Sequence, residues 1–67
     1  MVMFITRDKD GALALYRSWP IKNGSFFNKY DNDGWPRIPI HRNNFPEVTF
    51  ENSPMEVELK LVNNVQG

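Results

Sequence analysis

Aromatic faces set beside cations can hold a planar, anionic ligand: the rings stack on it and the cations bond its charge. The middle of this chain carries such a set. Tyr16, Trp19, Phe26, Phe27, Tyr30 and Trp35 fall within twenty positions, interleaved with Arg17, Lys22, Lys29 and Arg37. Aromatic residues also bury the most area per side chain, so about half of the six are expected in the core of so small a protein. Trp19 and Trp35 each precede a proline where an extended run ends, a rim position that leaves part of an indole in solvent. They are the first candidates for stacking, followed by Tyr16 and Tyr30. Arg17, Lys22, Arg37 and Arg42 are the candidates for phosphate contacts.

Other chemistries fit the residues less well. Two Asp-x-Asp-Gly runs, at residues 8–11 and 31–34, suggest calcium. An EF-hand loop needs oxygen ligands at its alternate early positions, glycine at the sixth and a bidentate glutamate at the twelfth. Aligned on Gly11, the twelfth position is Arg17; aligned on Gly34, the first is Lys29 and the twelfth is Ile40. Both runs read as tight turns. Cysteine is absent, and His41 is the single histidine, so thiolate and histidine-rich metal sites are not expected. Glu56 and Glu58 fall on the outward side of one strand, the pattern of a solvated face. His41 beside Arg42 could assist phosphoryl chemistry, but no glycine-rich phosphate loop or activated nucleophile accompanies it. The expectation is a binding protein with no catalytic residue, no metal and no cofactor.

The elements that must position these side chains are short strands. Residues 2–7 are β-branched and aromatic and read as a strand. Residues 8–11 turn the chain, and residues 12–18 return as the second arm of a hairpin, with Leu13 and Leu15 on one face and Tyr16 on the other. Alanine and leucine also favour helix, but the run is short and Pro20 ends it. Asn23-Gly24 marks a second turn, residues 26–30 a short strand and residues 31–34 a third turn. In residues 35–41, Pro36 and Pro39 confine the chain to an edge strand or an extended loop. Residues 47–51 read as a brief strand and residues 52–54 as a turn. Residues 55–62 alternate most cleanly, with Met55, Val57, Leu59 and Leu61 opposite Glu56, Glu58 and Lys60, and predict a half-buried strand. The tail at 63–67 is expected to fray. The whole predicts one domain over residues 1–67. Its class is all-β, or mainly β with one short helix within 43–54, built as a small antiparallel meander or open barrel.

Size and charge bear on partners. A chain of 67 residues buries only about 60% of its unfolded surface, and with disulfides and metals set aside the remaining support is a homo-oligomer. Net charge is zero, but residues 1–46 carry seven Lys/Arg against four Asp, and residues 47–67 carry four Glu against Lys60. Zero net charge argues against a general duplex-DNA binder and leaves a single-stranded nucleic acid as a lesser alternative. Head-to-tail pairing of subunits would use the same asymmetry. No long apolar run or basic leader is evident, so neither a membrane span nor a signal peptide is expected, and the absence of cysteine fits a reducing cytoplasm.

The opening Phe4-Ile-Thr-Arg-Asp-Lys-Asp-Gly11 and the closing Phe45-Pro-Glu-Val-Thr-Phe-Glu-Asn-Ser-Pro-Met-Glu-Val-Glu-Leu59 resemble short open reading frames of bacteriophages and mobile elements. The likeness covers the two ends of the chain and transfers no functional residue. It implies a phage-like origin and no established activity; a class-level analogy with phage proteins that oligomerise and sequester cyclic oligonucleotide immune signals gives the expectation of an anti-defence role in the host cytoplasm. A two-fold oligomer would present each ring and each cation twice, matching a symmetric ligand of two bases and two phosphates. The alternative is a small inhibitor or adaptor that accepts a partner strand along residues 35–41, anchored by Trp35.

Overall fold

The computed structural model describes residues 1–29 and 34–59. Tyr30, most of the turn expected at 31–34, the end of the strand expected over 55–62 and the tail expected to fray lie outside them. The described residues form an all-β protein of six strands and no helix: β1 Val2–Arg7, β2 Leu13–Tyr16, β3 Ile21–Asn23, β4 Phe26–Asn28, β5 Ile38–Ile40 and β6 Met55–Glu58. Four make one antiparallel sheet in the order β5-β2-β1-β6, and β3 and β4 form a separate hairpin.

Alternation sets what each face buries. On one side of the sheet Ile5, Leu13 and Val48 form a core, with Leu15, Ile40, Met55 and Val57 packed around them. On the other side Ala14, Tyr16 and Phe27 form a second core against Phe50. Burying each large apolar side chain contributes about 1.5–3 kcal/mol, so the central strands β1 and β2 are stabilised from both faces. The β3–β4 hairpin supplies the second layer through Phe27. Its own tip at Asn23-Gly24 has Gly24 at φ 63°, the left-handed turn that the sequence predicts.

The segment 41–54 caps one end of the sheet, sending Val48 into one core and Phe50 into the other. It is not the strand expected at 47–51. Side chains take its backbone instead: the Thr49 N–H donates to Asn52 Oδ1 at 2.8 Å, and the Asn52 N–H donates back to Thr49 Oγ1 at 3.1 Å. The Ser53 hydroxyl donates to the Thr49 carbonyl and accepts the Arg7 N–H at 2.8 Å. Such local bonds outcompete a ladder, and the segment stays a series of turns.

Arg7 ties this cap to the sheet. Its Nε donates to the Val48 carbonyl at 2.6 Å, Nη1 to the carbonyls of Gly11 and Arg42, and Nη2 to those of Asn44 and Phe45. One guanidinium thus satisfies five backbone carbonyls with its five donors. Phe45 is held with φ at 51°, a left-handed conformation rare for an aromatic residue, while its carbonyl accepts from both Arg7 and the Val48 N–H.

Among the described residues two buried side-chain atoms lack a hydrogen-bond partner, Thr6 Oγ1 and Arg17 Nε. Thr6 is 1% exposed, and its Oγ1 makes no hydrogen bond. Replacing Thr6 with valine keeps the shape and removes the unsatisfied hydroxyl. Thr6→Val is therefore expected to stabilise the fold by about 1 kcal/mol, read as a higher urea midpoint at unchanged slope. A lower midpoint would show that the hydroxyl is satisfied in solution.

Candidate functional site: a polar cleft beside Trp35

The turn between β1 and β2 is built by aspartates. The Asp8 N–H donates to the Ala12 carbonyl at 2.7 Å, the Gly11 N–H to the Asp8 carbonyl, and the Ala12 N–H to Asp10 Oδ1 at 2.9 Å. Gly11 sits at φ 98°, where any side chain is strained. This turn docks on the β3–β4 hairpin: the Lys9 N–H donates to the Ser25 carbonyl at 2.8 Å, and the Phe27 N–H to Asp8 Oδ1 at 3.0 Å.

Between turn and hairpin lies a cleft of about 440 Å3, lined by Asp8, Asp10, Ser25, Phe26, Phe27, Asn28, Lys29 and Arg37. Its volume falls within the range of small-molecule sites. Arg37 is fixed in its wall by two contacts, Nε donating to the Tyr16 hydroxyl at 3.0 Å and Nη2 lying 3.9 Å from Asp8 Oδ2. The Tyr16 hydroxyl in turn donates to the Phe27 carbonyl at 3.0 Å. Two acids and two bases line the walls, and Phe26 contributes an exposed ring.

The residues before Arg37 cross the end of β2. Trp35 is 52% exposed, and the Arg17 guanidinium carbon lies 5.3 Å from its ring centre. Arg17 Nε is buried without a hydrogen-bond partner, and among the described residues no ion pair involves Arg17. Arg17 and Trp35 are therefore in contact, and Trp35 stands two residues before the Arg37 of the cleft wall, although neither Trp35 nor Arg17 lines the cleft itself.

The other sequence candidates fall elsewhere. Trp19 is also exposed, but it packs edge-on against Phe4 of β1 with ring centres 5.2 Å apart. Tyr16 is 0% exposed and cannot serve as a stacking platform. Alternation correctly turned it away from Leu13 and Leu15, but that face is covered by the hairpin. Lys22 spans the Phe50 ring, its Nζ 4.3 Å from the centre, and Arg42 Nη2 donates to the Asp10 carbonyl at 2.8 Å. Neither lines the cleft. Tyr30 lies outside the described residues.

Asp8, Asp10, Ser25 and Asn28 were not candidates from sequence. The spacing of Asp8 and Asp10 before Gly11 signals a turn, and only the docking of a later hairpin turns that loop into a wall. His41 is engaged locally, its Nδ1 accepting the Asn43 N–H at 3.1 Å. Among the described residues no helix is long and apolar enough to cross a membrane.

Tyr16 links core to cleft, so its hydroxyl can be tested alone. Tyr16→Phe leaves the ring in place but strands Arg37 Nε and the Phe27 carbonyl. The expected loss is about 1–2 kcal/mol in urea unfolding, with the Arg37 side-chain signal broadened in NMR spectra. An unchanged stability would mean that water replaces both bonds.

No family model, no curated protein and no solved structure matches this chain.

Proposed function

We propose that this chain is a non-enzymatic binding protein that sequesters a nucleotide at the Trp35 cleft. A half-exposed indole with a guanidinium 5.3 Å from its ring, two residues from the Arg37 of a 440 Å3 cleft, carries this reading. A base stacks on the exposed part of Trp35, an interaction worth about 1–3 kcal/mol. Arg17 and Arg37 bond the phosphate, each charge-assisted bond adding about 1.5–3 kcal/mol. Asn28 and Asp10 offer an amide and a carboxylate to the edge of a base. Trp19 belongs to a different surface and drops out of the binding set, as do Tyr16, Lys22 and Arg42.

A single cleft suits one nucleotide unit. A cyclic oligonucleotide, with two or three bases and as many phosphates, engages clefts from separate copies of the chain, which makes the binding species a homo-oligomer. Such a trap works by affinity alone and acts in the host cytoplasm, consistent with the anti-defence analogy drawn from the chain's two ends.

The adaptor reading through residues 35–41 has a physical obstacle. The Asp8 N–H bond to Ala12 sets the β1–β2 alternation, which turns the backbone of Leu13 and Leu15 towards β5. Their register partners Ile40 and Ile38 then bond β2, and Pro39 faces outward with a carbonyl and no N–H. A strand added to that edge finds no donor at its centre.

Isothermal titration with mononucleotides and with cyclic di- and trinucleotides tests the proposal. Saturable binding of a cyclic member, with fewer ligands than chains at saturation, is the expected result. Absence of binding across the whole panel at millimolar ligand would end it.

A further inference from the structure

The opposite edge of the sheet has the properties that β5 lacks. The N-terminal amine of Met1 donates to the Leu59 carbonyl at 3.1 Å, and the Leu59 N–H returns to the Met1 carbonyl at 2.6 Å. In an antiparallel ladder hydrogen-bonded pairs recur at every second residue. The Met3–Val57 and Ile5–Met55 pairs are therefore bonded as well, and the N–H and C=O of Glu56 face away from β1. Among the described residues β6 has β1 as its only neighbour in the sheet order, and its four residues include no proline.

Side chains differ on its two faces. On one face, Val57 and Leu59 border an apolar groove of about 180 Å3 that also takes in Met3, Ile5, Leu15 and Phe45. Leu59 and Phe45 are 55% and 47% exposed, and Phe45 is held over the groove by its left-handed backbone. On the other face stand the exposed carboxylates of Glu56 and Glu58. Apolar surface this open along an unblocked edge marks a docking site.

We infer that the β6 edge binds an extended segment of another protein in which apolar residues alternate with lysine or arginine. Backbone bonds at Glu56 add the segment to the sheet, its apolar side chains continue the Val57–Leu59 face into the groove, and a cation on its other face meets the exposed Glu56. Charge selects against a second copy as occupant. Pairing Glu56 with either outward position of another β6 sets carboxylate against carboxylate, which destabilises a cross-strand pair. This surface is separate from the Trp35 cleft, and its test is independent of nucleotide binding.

The probe is a short, dye-labelled peptide alternating valine and lysine, compared by fluorescence anisotropy with one alternating valine and glutamate. The lysine peptide is expected to bind about tenfold tighter, with the difference shrinking at high salt. Its binding should protect the Glu56 amide from hydrogen exchange. Glu56→Lys, at an exposed position, should reduce or reverse the preference while leaving the circular dichroism spectrum unchanged. Phe45→Ala should weaken both peptides. Equal affinities, no binding by either peptide, or a preference untouched by Glu56→Lys would overturn the proposal. So would a concentration-dependent dimer that the lysine peptide displaces.

Discussion

Arg7→Ala is expected to remove a large part of the chain's stability at 25 °C. The side chain bonds five carbonyls drawn from the β1–β2 turn and the 41–48 cap, four of them more than thirty residues away in sequence. Bonds to a charged donor contribute about 1.5–3 kcal/mol each when measured singly, and not additively, so the loss is about 3–5 kcal/mol. A domain of 67 residues has a total stability of about 3–10 kcal/mol. The loss is about a third or more of that total, and at its lower end the whole of it. Arg7→Lys keeps the charge, but an ammonium has three donors and no planar fork, so it should recover only part of the loss. Chemical denaturation of both variants checks this. A midpoint for Arg7→Ala within experimental error of the parent would show that the cap is held by Val48 and Phe50 alone.

The second large effect concerns affinity. Trp35→Ala should weaken nucleotide binding about 10- to 100-fold, the loss of one base stack. Arg17→Ala should weaken it by a similar factor and flatten the salt dependence, because it removes a phosphate contact. Trp35 is half-exposed and Arg17 partly buried, and neither belongs to either core cluster, so the fold should survive. Trp19→Ala is the control: it removes an equally exposed indole that packs on Phe4, and it should leave nucleotide affinity unchanged. Isothermal titration of the three variants with one ligand separates these outcomes. Equal losses for Trp19→Ala and Trp35→Ala would mean that neither indole is the specific platform.

What the sequence made legible follows from how local each signal is. The strands at Val2–Arg7 and Met55–Glu58 were readable because β-branched residues and period-two alternation report a half-covered sheet directly. The edge position of β5 was readable from Pro39, since a missing N–H restricts where a strand can sit. β3 was not: Ile21, Lys22 and Asn23 are all exposed, and three residues without a buried face carry no period. Residues 47–51 misled because valine, threonine and phenylalanine favour strands, while the deciding bonds came from Asn52 and Ser53 further on. For Tyr16 the face was right and its fate wrong, because alternation within one strand cannot report that a hairpin covers the far side.

The candidate site divides along the same line. Arg17 lies against Trp35, and Arg37 follows two residues later in the wall of the cleft. Lys22 and Arg42 were equally plausible as free cations. Their engagement with Phe50 and the Asp10 carbonyl depends on contacts across 28 and 32 residues. Arg7 gave no signal at all, because nothing near it in sequence announces five distant carbonyls.

The most direct test of the binding account is a two-dimensional 15N–1H NMR titration of the labelled protein with the nucleotide that binds tightest. The account predicts that the largest shifts fall on the Trp35 indole N–H, the Arg17 and Arg37 Nε–H signals and the Asn28 amide, with the Trp19 indole unmoved. Shifts centred on Trp19, or spread over the surface without saturation, would contradict it.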